Sequence, residues 1–130
     1  AERDLPCYGT THADYFYGAV PCTRHLTEDE IAEDYEGSTG KVIVETFRDR
    51  GIDPMAVPAV LVCKHGPFTW GETVEDAVYN AVVLEEIARM SHVTMQINPQ
   101  CPGAGRPLME RHYFRKHGED AYYGQDPEDL

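Results

Sequence analysis

Two periods of apolar and polar positions run along this chain. In STGKVIVETFRDR at 38–50, Val42, Ile43, Thr46, Phe47 and Arg50 fall on one flank at helical spacing. The VIV core has strand propensity, but the spacing predicts a helix, stopped by Gly51. AVLVC at 59–63 is short, apolar and β-branched, so it reads as a buried strand that delivers CKHGPFTWG to its end. Thr73 then opens the clearest helix. Asp76 completes a capping box, and Val74, Ala77, Val78, Ala81, Val82, Ile87 and Ala88 keep a core-forming apolar face to Met90.

Other helix starts follow the same logic. Thr27 with Glu30 three residues on forms a second capping box, and Asp29 adds charge that suits a helix N-terminus. Pro107 fits the first turn of a last helix, after the break NPQCPGAGRP, and Gly118 suits its C-terminal cap. From Leu5 to Thr23, apolar and aromatic runs are interrupted by Pro6, Gly9, Gly18 and Pro21, which predicts short strands and loops. Strands alternating with helices make an α/β domain, of whose sheet 130 residues supply a part.

Composition narrows the partners. With 42% apolar residues the chain can bury a core as one domain, and it shows no repeat or linker. Eleven basic against twenty-three acidic residues give a formal charge of −12, which repels nucleic acid and anionic membranes. A phosphorylated small substrate stays open, because salt screens a distant field beyond about 10 Å. No apolar run approaches the roughly 20 residues of a membrane span. Cys7, Cys22, Cys63 and Cys101 form no Cys-x-x-Cys pair, so free thiols and a cytosolic compartment are expected. The chain opens at Ala1 with no basic or apolar leader, and it ends in an acidic tail at 126–130.

Four stretches hold candidate chemistry. In TTHADYFY at 10–17, Asp14 stands among His12, Tyr15, Phe16 and Tyr17. It is either a turn or cap residue or an acid/base group whose pKa the rings raise. His65, before the rigid Gly66-Pro67 turn, is either a hydrogen-bonded strand-end residue or a metal ligand. No His-x-His or His-Glu-x-x-His accompanies it, so His12 or His112 joins it only by tertiary approach. Tyr122 and Tyr123 either anchor the chain end by packing or offer a phenol for proton transfer. In RHYFRKHG, Lys116 and His117 complement a helix dipole, while His112 and Arg115, three apart, face one way and suit an anion or a neighbouring carboxylate.

GTTHADYFYG at 9–18, PCTR at 21–24, HGPFTWG at 65–71, AVYNAVVLEEIARM at 77–90 and HYFRKHGEDAYYGQ at 112–125 together resemble the L-ribulose-5-phosphate 4-epimerases of the class II aldolase/epimerase family. The match is to the C-terminal half of such a domain, part of a three-layer α/β/α sandwich. The resemblance implies C4 epimerisation of L-ribulose 5-phosphate to D-xylulose 5-phosphate by retro-aldol cleavage and re-addition. A divalent metal, zinc first, would stabilise the charge left when the C3–C4 bond breaks. Asp14 and Tyr123 match the two acid/base groups, His65 a metal ligand, and His112, Thr10 and Arg115 substrate-positioning or supporting residues. The family assembles its site between subunits of a cyclic homotetramer, so Asp14 and Tyr123 would act on a substrate held by the neighbouring subunit's metal.

The family's His-x-His metal pair and Gly/Ser-containing phosphate cradle have no counterpart in these residues. That implies a truncated form, inactive by itself. The alternatives are a class II sugar-phosphate aldolase of the fuculose-phosphate type, against which THADYF and YYGQ weigh, and a non-catalytic interaction module.

Overall fold

The computed structural model describes residues 1–124, so the acidic tail at 126–130 lies outside the described residues. Seven elements follow in order: α1 (Thr10–Tyr15), α2 (Glu28–Glu33), α3 (Tyr35–Arg50), β1 (Ala59–Val62), β2 (Gly66–Thr69), α4 (Val74–Ile97) and α5 (Arg106–Lys116). The mixture of helices with a small sheet agrees with the α/β class.

The sheet nucleus starts from β1, whose Ala59, Val60 and Val62 are buried. It pairs antiparallel with β2 in the register Val60↔Phe68 and Leu61↔Pro67. HGPFTWG was expected only to follow the strand; in the fold it turns back and supplies the second one. On the other side of β1, Leu61 donates to the Pro21 carbonyl at 2.8 Å and Thr23 donates to the Leu61 carbonyl at 2.9 Å. Leu5 and Val20 in turn exchange hydrogen bonds at 2.9 and 3.0 Å. Phe16, Val20, Phe47, Val57, Val60, Leu84 and Ile87 form the core around this nucleus.

The helix boundaries show their causes. Thr27–Glu30 and Thr73–Asp76 both close reciprocal capping boxes. Asp34, accepting from Gly37 N–H at 3.2 Å, starts α3 three residues before the predicted segment. The left-handed Gly51, at φ 62°, ends it. Val42, Thr46 and Phe47 are buried as the spacing predicts, while Arg50 reaches the rim and forks onto Asp4. Pro107 lies in the first turn of α5, and Gly118, at φ 114°, directly follows its cap residue His117.

Two expectations need correction. The stretch from Leu5 to Thr23 contains α1 as well as short bridged segments. The long helix continues past Met90 to Ile97, and Val74, Val78 and Val82 are exposed. Ile87 of the predicted face is buried, and the inward stripe runs through it from Leu84 to Ser91. A helix that is apolar around much of its circumference has no unique inward face by pattern alone, and packing on α1 and the sheet chooses one.

Candidate active site and its relatives

The carboxylate of Asp14 is the centre of the best-organised polar cluster. It sits on α1, which packs against α5, and its side chain is only 13% exposed. Arg115 donates through Nε to Oδ1 and through Nη2 to Oδ2, both at 3.1 Å. His112 Nδ1 donates to Oδ1 at 3.0 Å. The carboxylate that the three-residue spacing of His112 and Arg115 suits is therefore Asp14 itself. A planar fork on two oxygens fixes orientation as well as charge. The Asp14 carboxylate raises the Arg115 guanidinium above its ordinary pKa, with desolvation opposing.

Of the two sequence readings of Asp14, the structure overturns the turn or cap one. It does not cap α1, whose N-cap is Gly9 without a side-chain bond. Nor do the rings enclose its carboxylate. Phe16 turns into the core, Tyr17 donates to Glu110 at 2.7 Å, and Tyr15 lies under the Lys116 ammonium at 4.4 Å from the ring centre.

Tyr123 joins the cluster through the same arginine. The Arg115 guanidinium carbon stands 3.9 Å from the Tyr123 ring centre, while the backbone N–H groups of Tyr122 and Tyr123 both donate to the Arg115 carbonyl at 2.9 Å. Half of Tyr123 remains exposed. Arg115 thus holds Asp14 with its edge and Tyr123 with its face. Lys116 and His117 do more than complement a dipole. Lys116 donates to the Tyr15 hydroxyl at 3.2 Å, and His117 Nε2 donates to the Asp14 carbonyl at 2.8 Å while stacking on Tyr113.

The remaining candidates lie elsewhere. His65 follows Lys64 in the β1–β2 turn, its ring 5.4 Å from that of Phe68 and 6.4 Å from that of Tyr35. It borders a cavity of about 460 Å³ with Leu5, Val62, His92 and Met95. Thr10, at the start of α1, borders a separate cleft of about 270 Å³ with His12, Ile87 and Ser91. His12 is not available to His65. It is 3% exposed, donates from Nε2 to the Gly18 carbonyl at 2.6 Å, and burial lowers its pKa.

A catalytic cation of the zinc type takes about three protein ligands. Among the described residues, His65 belongs to no group of three His, Cys, Asp or Glu donors within reach of one ion. It fits one position of such a site and does not complete the set. Sequence reasoning missed a different group, Glu2, His25 and Cys63, whose ligand atoms all lie within 4.8 Å of one another. Their positions follow no ligand-spacing motif, so only the fold reveals them. The four cysteines are free thiols, as expected, and no helix of the described residues is long and apolar enough to cross a membrane.

Asp14, Thr10 and His65 fall inside the stretch matched by a family model, and His112, Arg115 and Tyr123 outside it. That model is the class II aldolase and adducin N-terminal domain, and it matches residues 1–92. Most of the chain is covered, including α1, the sheet nucleus and α4 as far as residue 92. The chain belongs to the class II aldolase and adducin N-terminal domain family.

Proposed function

We propose that this chain carries the proton-transfer side of an aldolase/epimerase site, and that the reaction is C4 epimerisation of L-ribulose 5-phosphate to D-xylulose 5-phosphate. The observation that carries the reading is the shared arginine. Arg115 forks onto Asp14 and stacks on Tyr123, so one cation orients both groups that the resemblance pairs as acid and base. Retro-aldol cleavage takes a proton from the C4 hydroxyl as the C3–C4 bond breaks. Re-addition to the other face of the aldehyde returns a proton to the new C4 alkoxide, so the reaction needs one proton-transfer group on each side. Asp14 serves one side and the Tyr123 phenol the other, with His112 fixing the carboxylate's direction.

A divalent cation in this family supplies charge stabilisation to the substrate oxygens when bound. His65 offers one imidazole toward it from the β1–β2 turn, whereas the Asp14 cluster is built on α1 and α5. That separation suits a site assembled between copies of the domain, with Asp14 and Tyr123 from one and the metal ligands from another. A complete domain would extend the sheet into a three-layer sandwich, and the assembly would be a cyclic homotetramer.

The test joins this chain to the metal-binding remainder of a class II aldolase/epimerase domain and supplies L-ribulose 5-phosphate. D-Xylulose 5-phosphate should form, and Asp14→Asn or Tyr123→Phe should lower turnover without releasing metal. Accumulation of free glycolaldehyde phosphate with no xylulose 5-phosphate would instead make it an aldolase. Unchanged rates in both variants would remove the roles given to the two residues.

A further inference from the structure

The N-terminal segment, the loop after Pro21 and the β1–β2 turn meet at one corner, where the ligand atoms of Glu2, His25 and Cys63 lie within 4.8 Å of one another. We propose that these three residues form a divalent-cation site of the zinc class, distinct from the one His65 serves, which clasps the N-terminal segment to the β1–β2 turn.

Geometry permits it with side-chain adjustment alone. Zinc bonds of about 2.0–2.3 Å place adjacent ligand atoms roughly 3.3–3.8 Å apart in a tetrahedron, so donors already within 4.8 Å need to close by about 1 Å. The donor set selects the ion. A thiolate, an imidazole and a carboxylate suit borderline-soft zinc, whereas magnesium and calcium prefer oxygen alone. One carboxylate and one thiolate balance a divalent charge, and neutral imidazole adds none. The Cys22 thiol lies beside Cys63, which enriches the corner in sulfur.

The surroundings point the same way. Glu2 pairs with the Lys64 ammonium and lies 3.6 Å from His25 Nε2, so one cation and one ring nitrogen already meet at its carboxylate. The Lys64 side chain is 68% exposed and can swing into solvent when a cation takes its place. Glu2 and Lys64, at φ 58° and 62°, are the non-glycine residues of the described chain with left-handed backbone, and both stand at this corner. Such outliers concentrate where surrounding structure or a ligand holds them.

The probe is Co²⁺ added to the metal-free 130-residue chain, with Zn²⁺ as competitor. One equivalent should give a thiolate-to-cobalt charge-transfer band that zinc abolishes. The band should vanish in Cys63→Ser. His25→Ala and Glu2→Gln should weaken binding by more than about tenfold, the smallest loss typical even of partners one shell out. Both residues are exposed, so their variants keep the fold, which circular dichroism checks. His65→Ala should bind as the parent does. No band, a band that survives Cys63→Ser, or one lost in His65→Ala would overturn the proposal.

Discussion

The fork between Arg115 and Asp14 should tie α5 to α1 measurably, and a double-mutant cycle can isolate it. Arg115→Met removes two charge-assisted hydrogen bonds of 3.1 Å, and Asp14→Asn removes the charge that receives them. Exposed pairs contribute about 0–1 kcal/mol, while breaking a fully buried one costs about 3–5 kcal/mol. With side chains 13% and 21% exposed, this pair lies between those limits. His112 continues to serve Asp14 when the guanidinium is gone, which keeps the loss below the buried extreme. A coupling energy of about 2 kcal/mol follows, close to thirtyfold in the folding equilibrium.

Urea unfolding reads it. Trp70 rests against Phe47 with ring centres 5.4 Å apart and donates to the Pro54 carbonyl, so its fluorescence reports the core. Helical circular dichroism reports α5 alongside. The midpoint should fall in each single variant with an unchanged slope, and the double variant should be more stable than their sum predicts. Because the pair is mostly buried, molar salt should leave most of the coupling. Arg115→Lys should recover little of it, since an ammonium keeps the charge but loses the fork and the stack on Tyr123. A coupling under about 0.5 kcal/mol is the ordinary scatter of independent sites. That result would refute the idea that Arg115 organises the cluster.

Other expectations concern the scaffold. Gly51→Ala should destabilise by about 1 kcal/mol in urea unfolding, because the cost is the left-handed backbone alone with open space around its Cβ; Gly51→Asn should cost less. Ile87→Ala empties a fully buried position and should cost about 2–5 kcal/mol by the same assay. The stability curve should fall in two acid windows. His12 is buried with its pKa lowered below 6.5, so the unfolded chain takes up its proton first, and stability present above about pH 6.5 should decline as the pH drops below it. Glu30, held down to about 2 chiefly by Arg24, contributes stability present above 4.5 and lost as the pH falls through about 2. Unfolding titrations of the parent and His12→Asn should differ in slope in the upper window only; equal slopes there would remove the assignment to His12.

What could be read from the chain beforehand divides along a physical line. Where a local signal and tertiary packing agree, the element was visible: Thr27–Glu30, Thr73–Asp76 and Gly51 act within four residues of themselves, so their side chains mark boundaries that packing does not need to alter. α1 has no such signal. It is six residues long, its Gly9 cap makes no side-chain bond, and its aromatic run favours strand. Its helix is held by partners about a hundred positions away, Arg115, His112 and His117 on α5. β2 was hidden by Pro67, which argues against a strand. Among the described residues β2 pairs with β1 on one side only, which lets the missing N–H face away from the ladder.

The site divides in the same way. That His112 and Arg115 share a face is a property of helical spacing and was visible; that the group they face is Asp14 is a property of how α1 meets α5, and was not. The Glu2, His25 and Cys63 corner is wholly of the second kind, because its members share no period and no motif. Resemblance bridges part of this gap, since a matched string carries its tertiary partners with it. It named Asp14 and Tyr123 as a pair while giving no physical reason for their pairing. What the structure adds is Arg115, which the resemblance ranked among the supporting residues: one guanidinium meets a carboxylate along its edge and a phenol ring across its face. A residue that must satisfy two geometries at once tolerates no conservative replacement. With the chain joined to a metal-binding remainder, as the proposed reaction requires, turnover should therefore be more sensitive to Arg115→Lys than to the loss of His112, which orients Asp14 alone.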